Sequence, residues 1–264
     1  MNITLIGGGR IAEALLGGLI AAGREAGTLT VVEPSSERAA ALEKRYGVRA
    51  TTVAADGLAG ADIAVVAVKP DVVDAVLPAI AAAGTGLVVT VAAGVPISRY
   101  EAVLPAGTAV VRVMPNTAML VGRSMSGVSG GSAATPENVA LVGELLGTVG
   151  KVLVVPESKL DAVTALSGSG PAYLFLVAEA MIDAGVDLGL TRDQAATLAT
   201  ETIAGAGALM VETSSSPTEL RAGVTSPGGT TAAAVRELEK NGLRPAFYAA
   251  TRACAERSAE LGGR

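Results

Sequence analysis

The first twelve residues place a glycine-rich turn between an apolar segment and an amphipathic one. Asn2–Ile6 is apolar and predicts a buried strand, and residues 7–12 read Gly-Gly-Gly-Arg-Ile-Ala. Apolar residues then recur at helical spacing, namely Ile11, Leu15, Leu16, Leu19 and Ile20. A strand, a G-x-G-x-x-A turn and a helix in this order are typical of a dinucleotide-binding βαβ unit. The alternative is a tight strand–helix turn that binds no ligand.

Each small residue of this turn has a predicted role. Gly7 makes the sharp turn, Gly9 lets a pyrophosphate approach the backbone, and Ala12 keeps the helix close to the strand. The start of the helix favours negative charge, because its first N–H groups have no partner within the helix. The predicted phosphate-binding residues are Gly7, Gly8, Gly9, Arg10 and Ile11.

The second predicted strand ends in a segment that carries two opposing signals. Glu33 stands where an acid commonly binds the ribose 2′-hydroxyl of NAD. The following residues include Pro34, Ser35, Ser36 and Arg38, of which the serines and the arginine could hold the 2′-phosphate of NADP. Simple capping of the next helix is the alternative role for the two serines. The sequence therefore predicts a reduced nicotinamide cofactor but leaves NADP and NAD open.

Strands and helices alternate as far as about residue 156, and only helices are predicted after it. The predicted strands lie near residues 2–6, 29–33, 62–68, 87–91, 108–113, 123–129 and 151–155, and the predicted helices near 10–22, 36–46, 71–83 and 136–147. Such alternation favours a parallel sheet with helices on both faces. The fold class is therefore α/β: a Rossmann-like, mostly parallel sheet domain over residues 1–156, and an all-helical domain over residues 157–264.

Three strand-to-helix loops are expected on the ligand side of the sheet, because ligands bind at the carboxyl ends of strands in open α/β folds. They contribute the predicted cofactor-binding residues Val68, Lys69, Pro70, Ala92, Ala93, Gly94 and Asn116. Lys69 has the alternative role of a solvated surface lysine, and Asn116 that of an ordinary turn residue after a proline.

A second segment suited to an anion lies near the C-terminus. Residues 224–231 read Val-Thr-Ser-Pro-Gly-Gly-Thr-Thr, and an amphipathic helix follows to about Lys240. Glycines let the backbone turn sharply and approach a ligand, and N–H groups at a helix start attract negative charge. The predicted substrate-binding residues are Val224, Thr225, Ser226, Gly228, Gly229, Thr230 and Thr231. An ordinary capped helix start is the alternative.

Composition excludes several classes of function. The formal net charge is −5 with no long basic run, which argues against nucleic acid as a partner. The chain has no histidine and one cysteine, so we predict no metal site and no disulfide framework. No apolar stretch is expected to reach the roughly 18 residues of a membrane span. With no signal-peptide pattern at its start, the protein is predicted to be cytoplasmic and not membrane-bound.

The apolar balance of the chain predicts self-association. Half of the residues are hydrophobic, only 2% are aromatic, and the mean hydropathy is +0.50. The predicted helices after Pro156 carry more apolar surface than a small helical domain can bury alone. We therefore expect a second copy of the chain to bury this surface. We predict a homodimer within a larger homo-oligomer.

The chain resembles the pyrroline-5-carboxylate reductases along its whole length. The resemblance is carried by six motifs in order, which are Gly-Gly-Gly-Arg-Ile-Ala at 7–12, Ala-Val-Lys-Pro at 67–70, Ala-Ala-Gly-Val at 92–95, Met-Pro-Asn-Thr at 114–117, Ser-Gly-Ser-Gly-Pro-Ala-Tyr at 167–173 and Val-Thr-Ser-Pro-Gly-Gly-Thr-Thr at 224–231. The last two are highly specific in combination. Two positions depart from the family pattern, since Ala118 replaces a common proline and Glu33 replaces a common small polar residue.

The resemblance implies a Rossmann domain, a helical dimerisation domain and a substrate site shared across the dimer. It implies that backbone N–H groups of Ser226, Gly228 and Gly229 hold the carboxylate of a cyclic imino acid, and that Thr231 faces its ring nitrogen. It also implies that Lys69, Ala92, Ala93 and Asn116 line the nicotinamide side.

The implied reaction is the reduction of 1-pyrroline-5-carboxylate to L-proline, the last step of proline biosynthesis. It suits a chain without histidine, because a protonated cyclic imine already accepts hydride and needs placement more than a strong acid. Thr231 and Lys69 are the catalytic candidates, Thr231 to orient the ring nitrogen and Lys69 to tune the nearby charge.

Two other functions stay open from the sequence. One is a β-hydroxyacid dehydrogenase-like oxidoreductase, which needs a lysine in its helical domain, but the helix predicted from Ala172 carries none. The other is a dinucleotide-binding sensor without catalysis.

Overall fold

The computed structural model describes residues 1–263, which form two compact units. The first unit comprises residues 1–171 together with residues 253–263, and the second comprises residues 172–252. The boundary expected after residue 156 rests on a change of periodicity, and it stays a prediction.

The first unit is built on one sheet of eight strands. Their order across the sheet is β3-β2-β1-β4-β5-β6-β7-β8. The strands are β1 (Ile3–Ile6), β2 (Leu29–Val32), β3 (Arg49–Thr51), β4 (Ile63–Val66), β5 (Leu87–Thr90), β6 (Ala109–Met114), β7 (Ser124–Gly130) and β8 (Gly150–Val154). The pairs from β3 to β6 are parallel, which confirms the predicted mostly parallel sheet.

Two features of the sheet were not predicted from the sequence. The short outer strand β3 was not predicted, because its three residues are too few for a periodic signal. β7 runs antiparallel to β6. A parallel crossover needs about a dozen residues or more, whereas only residues 115–123 join these two strands, so the chain can only turn back.

Helices cover both faces of the sheet, as the alternation predicts. They are α1 (Arg10–Ala21), α2 (Ser36–Tyr46), α3 (Ala54–Leu58), α4 (Val73–Ala83), α5 (Ile97–Glu101) and α6 (Pro136–Gly147). One apolar core joins α1, α2 and α6 to the sheet face that carries Leu5 and Val65. The other joins α3, α4 and α5 to the face that carries Ile6 and Val66. The five-residue helices α3 and α5 were not predicted.

A nearly continuous helical stretch follows the sheet. It contains α7 (Leu160–Val163), a π-helical turn (Thr164–Gly168) and α8 (Gly170–Asp187). The sequence Ser-Gly-Ser-Gly-Pro at 167–171 is typical of a break between two helices, but here the π turn keeps the stretch helical, and Ser169 N–H donates to the Thr164 carbonyl oxygen at 2.8 Å. As a result Glu157–Asp187 is long and apolar enough to cross a membrane by length and composition alone, with 6% of its most apolar window buried. The expectation that no stretch reaches that length was wrong.

Four further helices complete the described chain, namely α9 (Arg192–Glu212), α10 (Pro217–Gly223), α11 (Thr230–Lys240) and α12 (Leu243–Leu261). Thr191 caps α9 and Ser216 caps α10, each in a capping box. In residues 172–252 only Ala195 and Ala199 are buried within the single chain. Many of their large apolar side chains, among them Leu174, Phe175 and Leu198, are exposed in the single chain.

Candidate functional site

The glycine turn after β1 has the geometry that a dinucleotide phosphate requires. Gly7 has a φ of +99°, and a side chain there would place its Cβ 2.8 Å from the Ala67 carbonyl oxygen of the neighbouring chain segment. A Cβ on Gly8 would lie 2.7 Å from Leu42 Cδ1. A Cβ on Gly9 would meet no atom of the described chain within 4 Å. Gly7 is thus required by its backbone conformation and by the neighbouring backbone, Gly8 lies close to the Leu42 side chain, and Gly9 faces open space.

The helix that follows this turn leaves its first N–H groups available. Its N-cap residue is Gly9, which offers no side-chain acceptor, and Arg10 and Ile11 begin the first turn, which also contains Glu13. Ala12 is buried against the sheet, as predicted. Because uncapped N–H groups at a helix start favour an anion, the predicted phosphate-binding residues fit a pyrophosphate.

Glu33, just after β2, and Arg38, in the first turn of α2, both bind Gly8. Gly8 N–H donates to Glu33 Oε2 at 2.9 Å, and Arg38 Nε donates to the Gly8 carbonyl oxygen at 3.0 Å. Ser35 N–H donates to the other Glu33 oxygen at 3.0 Å, while its hydroxyl caps α2. The capping role considered for Ser35 is therefore present. Pro34 and Ser36 lie exposed beside this group.

The predicted nicotinamide side is formed by the loops after β4, β5 and β6, which are neighbours in the sheet. Lys69 is exposed, and Val68 and Pro70 are half-buried. Ala92 is buried, and its N–H donates to Thr90 Oγ1 at 3.2 Å. Gly94 has a φ of +79°, and a Cβ there would lie 3.0 Å from Leu261 Cβ. The three loops thus lie at one edge of the sheet.

Asn116 has an unused acceptor at this edge. Its Nδ2 donates to the Ser167 carbonyl oxygen at 3.1 Å, which fixes the side chain. Its Oδ1 is buried and has no hydrogen-bond partner within residues 1–263. A buried carbonyl oxygen without a donor is costly. The donor amide of a carboxamide such as that of nicotinamide would satisfy it, so the residue fits its predicted place.

A buried hydroxyl pair supports the loop after β5. The Tyr100 and Thr90 hydroxyls share a hydrogen bond, and Thr90 in turn accepts the Ala92 N–H. Burial raises the pKa of Tyr100 to about 12, so this phenol stays protonated at neutral pH. Neither residue was predicted from the sequence, because a tyrosine ten residues from its partner gives no periodic signal.

The predicted substrate segment is an uncapped helix start in the second unit. Gly228 has a φ of +72°, which favours glycine, and a Cβ on Gly229 would lie 2.5 Å from Ser226 Oγ. Gly229 is the N-cap residue of α11 and supplies no side-chain cap, and the first turn contains no acid. Val224 and Thr230 are exposed and Thr225 is half-buried.

The N–H groups of this segment are not equivalent. Gly229 N–H donates to the Ser226 carbonyl oxygen at 3.1 Å, whereas the N–H groups of Ser226 and Gly228 have no acceptor in the described chain. The half-buried Thr231 hydroxyl likewise has no partner there, unlike that of Thr225, which bonds the Arg221 carbonyl. The segment can therefore offer two free N–H groups, one hydroxyl and the start of α11 to an anionic ligand.

No part of the described chain is arranged as a metal centre. Residues 1–263 contain no group of three or more His, Cys, Asp or Glu side chains placed to hold an ion. The glycine turn after β1 and the three loops after β4, β5 and β6 instead define a Rossmann-type dinucleotide-binding fold.

The family comparisons agree with that class. Residues 157–261 match the family model for pyrroline-5-carboxylate reductase dimerisation, and residues 2–94 match the model for NADP oxidoreductase, coenzyme F420-dependent. The chain is 50% identical over 266 residues to a pyrroline-5-carboxylate reductase of Corynebacterium melassecola, covering 99% of this chain and 98% of that protein. It belongs to the pyrroline-5-carboxylate reductase family, as the motif resemblance predicts.

Solved structures of the family share the whole architecture. A pyrroline-5-carboxylate reductase from Coxiella burnetii superposes with a TM-score of 0.93 at 36% identity, covering 98% of both chains. A Plasmodium falciparum pyrroline carboxylate reductase with NADP bound gives a TM-score of 0.88 at 29% identity, covering 99% of this chain and 98% of that one. These similarities do not favour the β-hydroxyacid dehydrogenase alternative.

Proposed function

We propose that the protein reduces 1-pyrroline-5-carboxylate to L-proline with hydride from reduced NADP or NAD. The observation that carries the proposal is the pair of uncapped, glycine-shaped helix starts, one at Gly9 and one at Gly229. The first suits the pyrophosphate of the cofactor, and the second suits the carboxylate of the imino acid. Membership of the reductase family selects this substrate among small anions.

The chain's own residues bind and orient in this reaction. When bound, the reduced nicotinamide supplies the hydride. The N–H groups of Ser226 and Gly228 hold the substrate carboxylate, and the Thr231 hydroxyl orients the ring nitrogen. Lys69 tunes the charge near the imine. Holding two reactants in line is worth up to roughly 7–11 kcal/mol of the barrier, so an enzyme without histidine can still be effective.

The assembly and location extend this proposal. The protein acts as a homodimer, within a larger homo-oligomer, and the dimer supports the substrate site. The exposed apolar surface of residues 172–252 supports self-association, and the lone cysteine Cys254 supports a reducing, cytoplasmic setting.

Purified protein should oxidise NADH or NADPH only when the cyclic imine is present. The measurement is the loss of absorbance of the reduced nicotinamide, with proline formation confirmed by mass spectrometry. The control omits the imine. Folded protein that binds nucleotide tightly but turns over neither cofactor would instead identify a sensor and reject the reductase function.

Replacing Thr231 with valine should reduce kcat/KM for the imine by about 5- to 150-fold, which corresponds to roughly 1–3 kcal/mol. The valine keeps the shape but removes the hydroxyl that orients the ring nitrogen. Cofactor affinity should barely change, because Thr231 lies outside the nucleotide-binding residues. Steady-state kinetics with both substrates varied measure the effect.

Thr28→Val is the matched control, since the Thr28 hydroxyl bonds only the Glu25 carbonyl of its own turn at 2.7 Å. It should leave kcat/KM unchanged. If Thr231→Val also leaves kcat/KM unchanged, Thr231 serves the helix start and not the substrate.

A further inference from the structure

A carboxylate beside the nucleotide turn is held by three donors. Glu13 lies in the first turn of α1, and its side chain is only 15% exposed. Its Oε1 accepts from Arg45 Nη1 at 2.7 Å and from the Tyr46 hydroxyl at 3.1 Å. Its Oε2 accepts from Arg38 Nη2. The hydrogen bond from Arg38 lowers the pKa of Glu13, so this group is a carboxylate at neutral pH.

Arg38, one of the two arginines that bind Glu13, also contacts the nucleotide turn. Arg38 Nε donates to the Gly8 carbonyl oxygen, and Glu33 accepts the Gly8 N–H. The guanidinium and the Glu33 carboxylate therefore flank the same glycine, at the end of β2 where the adenosine ribose of a dinucleotide binds in this fold. With a side chain 38% exposed, Arg38 is the basic group of this cluster that reaches both the turn and solvent.

We propose that Glu13 is a specificity-determining residue for the cofactor: by holding the Arg38 guanidinium, it weakens the attraction of the site for the 2′-phosphate of NADPH and favours NADH. The inference rests on the proposed function only in assuming that a nicotinamide dinucleotide binds at this turn.

The reason is a competition for one cation. A guanidinium has a fixed fork of five N–H donors, and in Arg38 the Nε donor is used by Gly8 and the Nη2 group by Glu13. A 2′-phosphate would thus meet an arginine whose charge is already compensated. It would also meet Glu33, which two backbone N–H groups hold in place. A free ribose hydroxyl meets no such repulsion, and it can donate to Glu33.

A different role for Glu13, positioning Arg38 to bind the 2′-phosphate, predicts the opposite change in phosphate affinity. If Glu13 serves to aim Arg38 at the phosphate, removing its charge would weaken phosphate binding. Arg45 provides a matched control, since it also pairs with Glu13 but its side chain is 69% exposed and it makes no hydrogen bond to the turn.

The experiment compares two adenosine ligands that differ at the 2′ position. Calorimetry gives Kd values of the folded protein for adenosine 2′,5′-bisphosphate and for adenosine 5′-monophosphate. The affinity ratio, which is the Kd of the monophosphate divided by the Kd of the bisphosphate, isolates the contribution of the 2′-phosphate. Glu13→Gln keeps the hydrogen bonds to Tyr46 and Arg45 but removes the charge. It should improve relative binding of the bisphosphate by about five- to tenfold. The NADPH/NADH ratio of kcat/KM should rise in parallel.

The double variant Glu13→Gln with Arg38→Gln should lose this gain, and Arg45→Gln should leave the ratio near its original value. Glu13→Asp, which withdraws the carboxylate but keeps the charge, provides a second variant should Glu13→Gln fold poorly, and it should also raise the ratio. An unchanged or lowered ratio in a folded Glu13 variant would overturn the inference. If the unmodified protein binds neither adenosine ligand, the proposed nucleotide site itself is rejected.

Discussion

Glu157→Ala is expected to lower the free energy of unfolding by about 3 kcal/mol, because it leaves a buried arginine without its counter-charge. Arg112 lies on β6 with a side chain only 2% exposed, and its Nη1 donates to Glu157 Oε1 at 3.0 Å. The same oxygen accepts the Ile97 N–H at 2.7 Å. We place the effect at the lower end of the range for buried pairs, since Glu157 is 31% exposed and water can partly replace it.

Urea unfolding followed by circular dichroism measures this loss. Replacing both partners, as in Arg112→Met with Glu157→Leu, should restore part of the stability, because no charge is then left buried, although the Ile97 N–H still lacks its acceptor. Asp74→Ala is the matched control, since it breaks the Arg99–Asp74 pair at an exposed surface and should change stability little. A Glu157→Ala protein as stable as the original would show that water satisfies Arg112 fully.

Phe175→Glu is expected to convert the dimer into monomers and to abolish most of the activity. Phe175 is 63% exposed in the single chain, between Leu174 and Leu176, which are 52% and 65% exposed. These residues lie on α8, inside the region that matches the dimerisation family. In a symmetric dimer the substituted residue occurs in both subunits, so its energetic cost is counted twice. A loss of roughly 2 kcal/mol or more per site would therefore raise the dimer Kd by about a thousandfold.

Light scattering over a range of protein concentrations measures the mass, with reductase activity and Tm determined on the same samples. Mass, activity and Tm should fall together, because the proposed substrate site depends on the dimer. Val53→Glu provides the control, as Val53 is 49% exposed on the first unit, outside the dimerisation match. A fully active monomer of Phe175→Glu would refute the proposed dependence.

The sequence by itself determined the longer local elements of this protein. Short-range signals suffice where neighbours in the chain decide the structure. The Gly7–Ala12 turn follows from the steric freedom of glycine, and the start of α9 follows from the Thr191 capping box. The order of motifs also identified the family, because that order depends on residue identity alone. The roles assigned to individual site residues stay predictions.

Only the tertiary structure decided which distant side chains meet. Glu13 and Arg38 are 25 residues apart, and Arg112 and Glu157 are 45 apart. No periodicity links such pairs, because their contact depends on how α1 packs beside α2 and on where the chain leaves the sheet. The antiparallel direction of β7 was likewise fixed by the short connection from β6 and by pairing across the sheet. The sequence shows which side chains can form ion pairs and hydrogen bonds. Tertiary packing decides which of them come close enough to do so.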